Sequence, residues 1–284
     1  MSEPRPWTTL VFDVPELLAE ELAGRVGFDS RGMEFTPAGE DLTRVRIYLR
    51  LAETADQAAA EIRGLLDSEG HASEVRVEPV ADDDWVERFQ RTLKPIAIGR
   101  RFLIVPGDEQ ADPGERTALH LIPGRAFGTG EHPTTQLCIE QLEERVESGS
   151  RWLDIGAGTA VLSMAARHLG AGEVVGIDND PVAVEVAAEV LKRNGVQGVR
   201  LITGSIETVD GGFDGVVANI NRPFFTANER VLGGLVRPGG LFIASGFLGD
   251  DVEELTGVFE ASGLRVDSVH RRDPWVALVA HRPD

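Results

Sequence analysis

The sequence predicts an α/β protein in two parts, a small α+β unit of ferredoxin-like pattern followed by a larger unit built on a mostly parallel sheet that ends in an antiparallel hairpin. Three observations carry this. The first third reads strand, helix, strand, strand, helix, strand. From Gly99 onward strands alternate with helices, as they do where helices cover both faces of a parallel sheet. After Leu264 two strand-like segments flank Arg272-Asp273 with no helix between them.

The elements follow in order. Thr8 to Val14 alternates, Pro15 suits a helix start, and a helical stretch runs to about Val26. Met33 to Thr36 and Arg44 to Leu51 read as short strands separated by the turn-like Pro37-Ala38-Gly39. In Thr54 to Leu66, the side chains of Ala58, Ile62, Leu65 and Leu66 share one helical face, and Val75, Val77 and Pro79 mark a last alternating strand. Asp82-Asp83-Asp84 places negative charge where a helix N-terminus favours it, and Trp85, Phe89 and Leu93 follow at helical spacing before Pro95. The expected organisation is a ferredoxin-like, substrate-recognition domain over 1–80, a connecting helix over 81–94 and a catalytic domain over 95–284. In that domain the strands are Trp152 to Ile155, Val174 to Asp178, Arg200 to Thr203, Gly215 to Ala218 and Leu241 to Ser245. Helices start near His132, Thr159, Pro181, Pro223 and Asp250, and Leu264 to Arg271 and Pro274 to Ala280 form the hairpin.

Composition narrows the function. The 284 residues are 42% hydrophobic, enough to bury a core, and 47 Asp plus Glu against 28 Lys plus Arg give a net charge of -19. Only Lys94 and Lys192 are lysines, and the basic runs are no longer than Arg100-Arg101 and Arg271-Arg272, so direct binding to nucleic acid is disfavoured. The single Cys138 excludes an internal disulfide framework and a Cys-rich metal site, and reads as a buried helix residue. With no apolar run of membrane-spanning length and no leader-like start, a cytoplasmic protein with no membrane contact is expected.

The strongest local motif is Leu153-Asp154-Ile155-Gly156-Ala157-Gly158-Thr159-Ala160, a strand entering a glycine turn and then a helix. Gly156 and Gly158 lack side chains, so a ligand can approach the backbone there, and the helix that follows offers free N–H groups. Asp178 ends the next strand, where a carboxylate can accept hydrogen bonds from ribose hydroxyls. These residues define a nucleoside-binding βαβ unit. Val161 stands where the dinucleotide fingerprint needs a third glycine, which disfavours NAD.

The Asp-x-Gly-x-Gly motif followed by an acidic strand end resembles motif one of the Rossmann-like, class I S-adenosylmethionine-dependent methyltransferases, whose seven-stranded sheet also finishes on an antiparallel hairpin. Two further segments narrow the resemblance. The stretch Pro123-Gly124-Arg125-Ala126-Phe127-Gly128-Thr129-Gly130-Glu131-His132-Pro133-Thr134-Thr135 is similar to the Gly-rich loop of the PrmA family, lysine methyltransferases of large-subunit ribosomal protein eleven. Val217-Ala218-Asn219-Ile220 and Trp275-Val276-Ala277-Leu278 resemble that family's fourth-strand and closing-strand motifs. The chain departs from the pattern at Glu131, Ala157, Thr159-Ala160 and Asn221, where Thr, Cys or Thr, Ser-Gly and an aliphatic residue followed by Ala are usual; the methyl group of Ala160, near the helix start, is expected to be tolerated with helical φ and ψ.

The resemblance implies S-adenosylmethionine as cofactor, with Gly156 beside its amino-acid moiety, Asp178 on the ribose, and Gly158, Gly128 and Thr135 lining the site. Phe127 packs on the cofactor or in the core. Asn219 is the expected catalytic residue: its amide oxygen can accept a hydrogen bond from the substrate amine without a full negative charge that would favour the ammonium form. His132 lies at a helix start without a His or Cys partner at ligand spacing, so no metal is expected. The implied reaction methylates lysine side chains, and also the N-terminal amine, of that ribosomal protein. Methylation of another protein lysine or a small-molecule amine, and a catalytically silent cofactor-binding protein, are the alternatives. Residues 1–93 hold 20 acidic and 10 basic side chains against 27 and 18 in 94–284. Salt adaptation would spread acidity evenly; the bias suits a small domain that docks a basic protein. A monomer is expected.

Overall fold

A computed structural model of the protein describes residues 7–15, 18–19, 22, 33–39, 42–49, 55–80, 94–107, 109, 111–122, 130 and 132–284. The chain divides into two units, Met1–Thr92 and Leu93–Asp284.

In the first unit, β1 (Trp7–Pro15), β2 (Met33–Gly39), β3 (Leu42–Leu49) and β4 (Arg76–Val80) form an antiparallel sheet in the order β2-β3-β1-β4. This is the strand order of the split βαβ pattern. Alternate residues Leu10, Phe12 and Val14 of β1 and Val45, Ile47 and Leu49 of β3 bury against Ala58, Ala59, Ile62 and Leu66 of helix α1 (Ala55–Ser68). Each large apolar side chain so buried stabilises the unit by about 1.5–3 kcal/mol. After Pro15, Leu18, Ala19 and Leu22 are helical and join the same core. The turn expected at Pro37-Ala38-Gly39 is instead part of β2, with a register shift between Pro37 and Gly39. Proline is tolerated there because β2 is an edge strand, paired among the described residues with β3 alone, where a missing N–H disturbs the sheet least. The helix expected over 81–94 lies, except for Lys94, outside the described residues.

The second unit opens with β5 (Ile96–Ile98), β6 (Phe102–Pro106) and β7 (Thr117–Leu121), a small sheet in that order which the sequence pattern had not revealed. Then come α2 (Pro133–Arg145), β8 (Arg151–Ile155), α3 (Val161–Leu169), β9 (Glu173–Asp178), α4 (Pro181–Arg193), β10 (Val199–Thr203) and β11 (Phe213–Asn219). Next are α5 (Arg222–Ala227), α6 (Glu229–Leu235), β12 (Val236–Leu248), α7 (Val252–Ala261), β13 (Arg265–Arg272) and β14 (Trp275–His281). The main sheet has the order β10-β9-β8-β11-β12-β14-β13; its first five strands are parallel, and β14 runs antiparallel to both neighbours.

Strand alternation sorts the side chains onto two faces. Trp152, Val174, Val217 and Ile243 bury against Cys138 and Leu142 of α2, Met164 of α3 and Val190 of α4. Leu153, Val175, Val216 and Phe242 bury on the other side with Phe225 of α5, Leu232 of α6 and Phe259 of α7. From β8 the chain winds outward to β9 and β10, then returns to β11 on the other side of β8. That reversal opens a crevice at the carboxyl ends of β8 and β11, where ligands bind in sheets of this kind.

Candidate active site

The glycine turn forms the floor of that crevice. Gly156 has φ +67 and Gly158 φ +52, and the N–H groups of Gly156 and Ala157 donate to Ile177 O at 2.8 and 3.0 Å, tying the turn to β9. Ala160 departs from the expectation of a helical residue: it is the N-cap of α3, with φ 61 and ψ 23. The turn must reverse direction before α3 begins, and a left-handed residue accomplishes this even when it carries a methyl group.

Asp178, at the end of β9, accepts from Gly158 N–H at 2.9 Å through Oδ2 and from Asp180 N–H at 3.0 Å through Oδ1. Capping of α4 belongs to Asp180, which accepts from Val182 N–H at 3.0 Å. Asp178 is therefore oriented by the glycine turn itself and remains partly exposed beside it.

Asn219 closes β11 two residues beyond Val217, which lies level with Asp154 of β8. Its Nδ2 donates to Thr135 Oγ1 at 3.2 Å, across 84 residues of sequence, and Thr135 is fully buried in the first turn of α2. This bond leaves Asn219 Oδ1 on the other side of the amide, buried and without a partner among the described residues. A carbonyl oxygen withheld from water and given no donor costs roughly 1–3 kcal/mol, so its retention marks a place for a donor to arrive.

Asp154 is buried directly below the turn. Its Oδ2 accepts from the N–H and the hydroxyl of Ser163 at 3.0 and 2.6 Å, while Oδ1 has no partner among the described residues. Burial pushes its carboxyl up to about 7, the negative charge of Asp178 adds to the rise, and the Ser163 bonds oppose it. The sequence showed an acidic residue before the turn but gave no sign of Ser163, nine residues on. His132 caps α2, with Nδ1 2.7 Å from Thr134 Oγ1 and the ring edge-on to Trp275 at 4.5 Å. Burial holds its imidazole down at about 4, neutral at physiological pH.

The structure thus brings Gly156, Gly158 and Asp178 together at the turn, and Thr135 and Asn219 together at the neighbouring strand end. Ile220, singled out only as part of a motif, lies over Gly156: a methyl group added there would sit 2.8 Å from Ile220 Cδ1. Phe127 and Gly128 lie outside the described residues. Among the described residues no group of three or more His, Cys, Asp or Glu is placed to hold a metal ion, and no helix is long and apolar enough to cross a membrane. The acceptor oxygen of Asn219 suits a ligand with amino groups, and the partly exposed Asp178 suits hydroxyls. S-adenosylmethionine carries both kinds of group.

The model of the family described as ribosomal protein L11 methyltransferase (PrmA) matches residues 23–283. The ribosomal protein L11 methyltransferase of Pelotomaculum thermopropionicum is 38% identical over 247 residues, 85% of this chain and 80% of the relative. That of Desulfosudis oleivorans is 34% identical over 96% of this chain and 97% of its own length. A crystal structure of ribosomal protein L11 methylase from Lactobacillus delbrueckii subsp. bulgaricus superposes with a TM-score of 0.63 at 28% identity, covering 68% of this chain and all of the other. The chain belongs to the ribosomal protein L11 methyltransferase (PrmA) family.

Proposed function

We propose that this chain, an S-adenosylmethionine-dependent methyltransferase by family, methylates lysine side-chain amines of ribosomal protein L11, and its N-terminal amine by the same chemistry. The names of its relatives support the substrate. The observation that carries the chemistry is the buried Asn219 Oδ1, which has no partner among the described residues and whose amide is held by Thr135. We place the protein in the cytoplasm with its ribosomal substrate and take it to act as a monomer.

Lysine presents the main obstacle. With a reference pKa of about 10.4, about one side chain in a thousand is neutral near pH 7.4, a gap worth roughly 4 kcal/mol. The cofactor supplies an electrophilic methyl group on a sulfonium. What the protein must supply is a partly dry place for the amine and a fixed direction for its lone pair. Asn219 Oδ1 accepts one N–H and so aims the nitrogen, and as a neutral acceptor it does not stabilise the ammonium form as a carboxylate would. Thr135 Oγ1 accepts from the other end of the amide and keeps the oxygen directed away from itself. Asp178, braced by Gly158 N–H, binds hydroxyls of the nucleoside, and Gly156 and Gly158 leave room for it against the backbone.

Incubation with methyl-labelled cofactor and total ribosomal proteins tests the reading. Label on L11 is expected; label confined to another protein or to small amines would overturn the substrate, and tight cofactor binding with no label anywhere would overturn the activity. In the same assay Asn219→Ala is expected to lower turnover by about 100-fold while leaving cofactor affinity within a few-fold. Asp178→Ala should instead weaken cofactor binding by about tenfold or more, the loss of a charge-assisted hydrogen bond. Equal losses in turnover and affinity for the first, or an unchanged dissociation constant for the second, would remove the assigned role.

The first unit is proposed to dock the substrate. Residues 1–93 carry 20 acidic and 10 basic side chains, against 27 and 18 in residues 94–284, and on α1 Asp56, Glu61 and Asp67 outnumber Arg63. A basic protein approaching such a surface is captured faster at low ionic strength. KM for the protein substrate is expected to rise steeply between about 50 and 300 mM salt, over which the screening length falls roughly 2.4-fold, with kcat little changed. A flat KM would argue against docking by charge.

A further inference from the structure

The strand next to Asn219 contains a break in its ladder. On β12, Ser245 lies opposite Ala277 and Phe247 opposite Val276, so Gly246 is an extra, unpaired residue between them. It has φ +98, a conformation that side-chain-bearing residues rarely adopt. A methyl group added at Gly246 would lie 2.5 Å from the carbonyl oxygen of Ile220, 2.7 Å from its carbonyl carbon and 2.8 Å from its nitrogen. These are backbone atoms, and no rotamer change can move them aside. The neighbouring Ser245 carbonyl accepts from Ile220 N–H at 2.9 Å. The residue after Asn219 is thus seated on the bulge from one side, while its side chain presses on Gly156 from the other.

We infer that Gly246 is a positioning residue for methyl transfer, acting through the Ile220 backbone to set the direction of the Asn219 amide. The inference rests on the role proposed above for Asn219. A bulge beside an active site re-aims a side chain, and here it acts on the neighbouring strand. Asn219 is level with Ser245 in the ladder, and the chain leaves β11 at Ile220 along the space that Gly246 leaves empty. Displacement of Ile220 by a few tenths of an ångström or more turns the peptide that carries Asn219, and the Thr135 bond at 3.2 Å has little length to give before it is lost.

The test is a double-mutant cycle in the full chain with Gly246→Ala, Asn219→Ala and the double variant, each assayed for kcat, KM of the protein substrate and cofactor dissociation constant, with kcat normalised to cofactor-binding sites. Gly246→Ala is expected to lower kcat by about tenfold or more, with KM and cofactor affinity within about threefold. In the Asn219→Ala background the same substitution should have no further effect on kcat, because the group it positions is gone. Losses that multiply, or a fall in cofactor affinity equal to that in kcat, would overturn the inference. If Asn219→Ala itself leaves kcat intact, the reading of Asn219 fails instead, which keeps the two outcomes separate. Should Gly246→Ala not fold, Ile220→Ala releases the same segment on its Gly156 side without adding atoms. A kcat loss present in the wild-type background and absent with Asn219→Ala supports the inference; an unchanged kcat overturns it.

Discussion

Ala160 is fully buried at φ 61 and ψ 23, and three effects of comparable size meet on its methyl group. The left-handed conformation costs an alanine roughly 1–2 kcal/mol. Burying the methyl returns about 0.8 kcal/mol, and the stiffer unfolded chain of alanine relative to glycine returns about 0.4–1 kcal/mol. Ala160→Gly is therefore expected to change unfolding free energy by less than about 1 kcal/mol, whereas Ala160→Val, branched at Cβ and without space, should cost about 2 kcal/mol or more. Denaturant titration of both variants checks this; a loss above 2 kcal/mol for the glycine would show that methyl packing outweighs backbone strain. The sequence could not reveal the conformation, because an alanine at a helix start is ordinarily helical and only the backbone path of the turn makes it otherwise. Asp178 and Asn219 were legible as polar residues ending strands beside a glycine turn. The unpartnered oxygen of Asn219 was not, since it depends on Thr135, 84 residues away.

At the scale of elements, legibility followed the length and isolation of the apolar run. The main sheet was readable because β8, β9 and β11 are buried runs bounded by glycine or by polar strand ends, with a proline at the start of α4 and near that of α5. The small sheet was missed: β5 has 3 residues, and β6 and β7, though as long as β8 at 5 each, lack the glycine turn running directly into a helix that marks β8 as a strand. What makes it a sheet is distant in sequence. The Glu143 carboxylate of α2 accepts the N–H groups of Arg100 and Arg101 at 2.8–3.1 Å, and Arg116 donates to the carbonyls of Ile98, Gly99 and Phe102. Asn194, after α4, brackets the backbone of His120 with its amide, accepting from N–H at 2.8 Å and donating to O at 2.7 Å. Helix α6 was missed for the opposite reason, since Gly233-Gly234 are poor helix formers and only the burial of Leu232 and Leu235 against the sheet holds the turn. The bulge at Gly246 falls one residue beyond the strand read as Leu241 to Ser245, whereas β12 continues through it to Leu248, and its consequence for Ile220 required the neighbouring strand.

For the molecule as a whole, two buried groups of the second unit oppose each other in the dependence of stability on pH. Asp154 rises from 3.8 to about 7, chiefly through burial, and His132 falls from 6.5 to about 4 through burial. The folded pKa of Asp154 lies above the unfolded one, so its contribution is full below about pH 4 and is lost as pH rises through 7. The folded pKa of His132 lies below the unfolded one, so its contribution is full above about 6.5 and is lost as pH falls through 4. Between those limits the two slopes have opposite sign and, at about 1.36 kcal/mol per pH unit each at most, similar size. The 47 acidic residues impose a background slope of their own, which subtraction of the wild-type profile removes. Relative to wild type, Asp154→Asn is expected to gain stability steadily as pH rises from 4 to 7, with a ceiling of about 4 kcal/mol. His132→Asn, which keeps a capping side chain at the start of α2, should gain relative to wild type as pH falls from 6.5 to 4, after a pH-independent loss of the Trp275 contact. Urea midpoints measured from pH 4 to 7.5 decide the matter. Difference profiles of the same sign would mean that one of the two groups is ionised in the folded protein, and a flat Asp154→Asn profile would mean that the carboxylate below the glycine turn carries its charge into the active site.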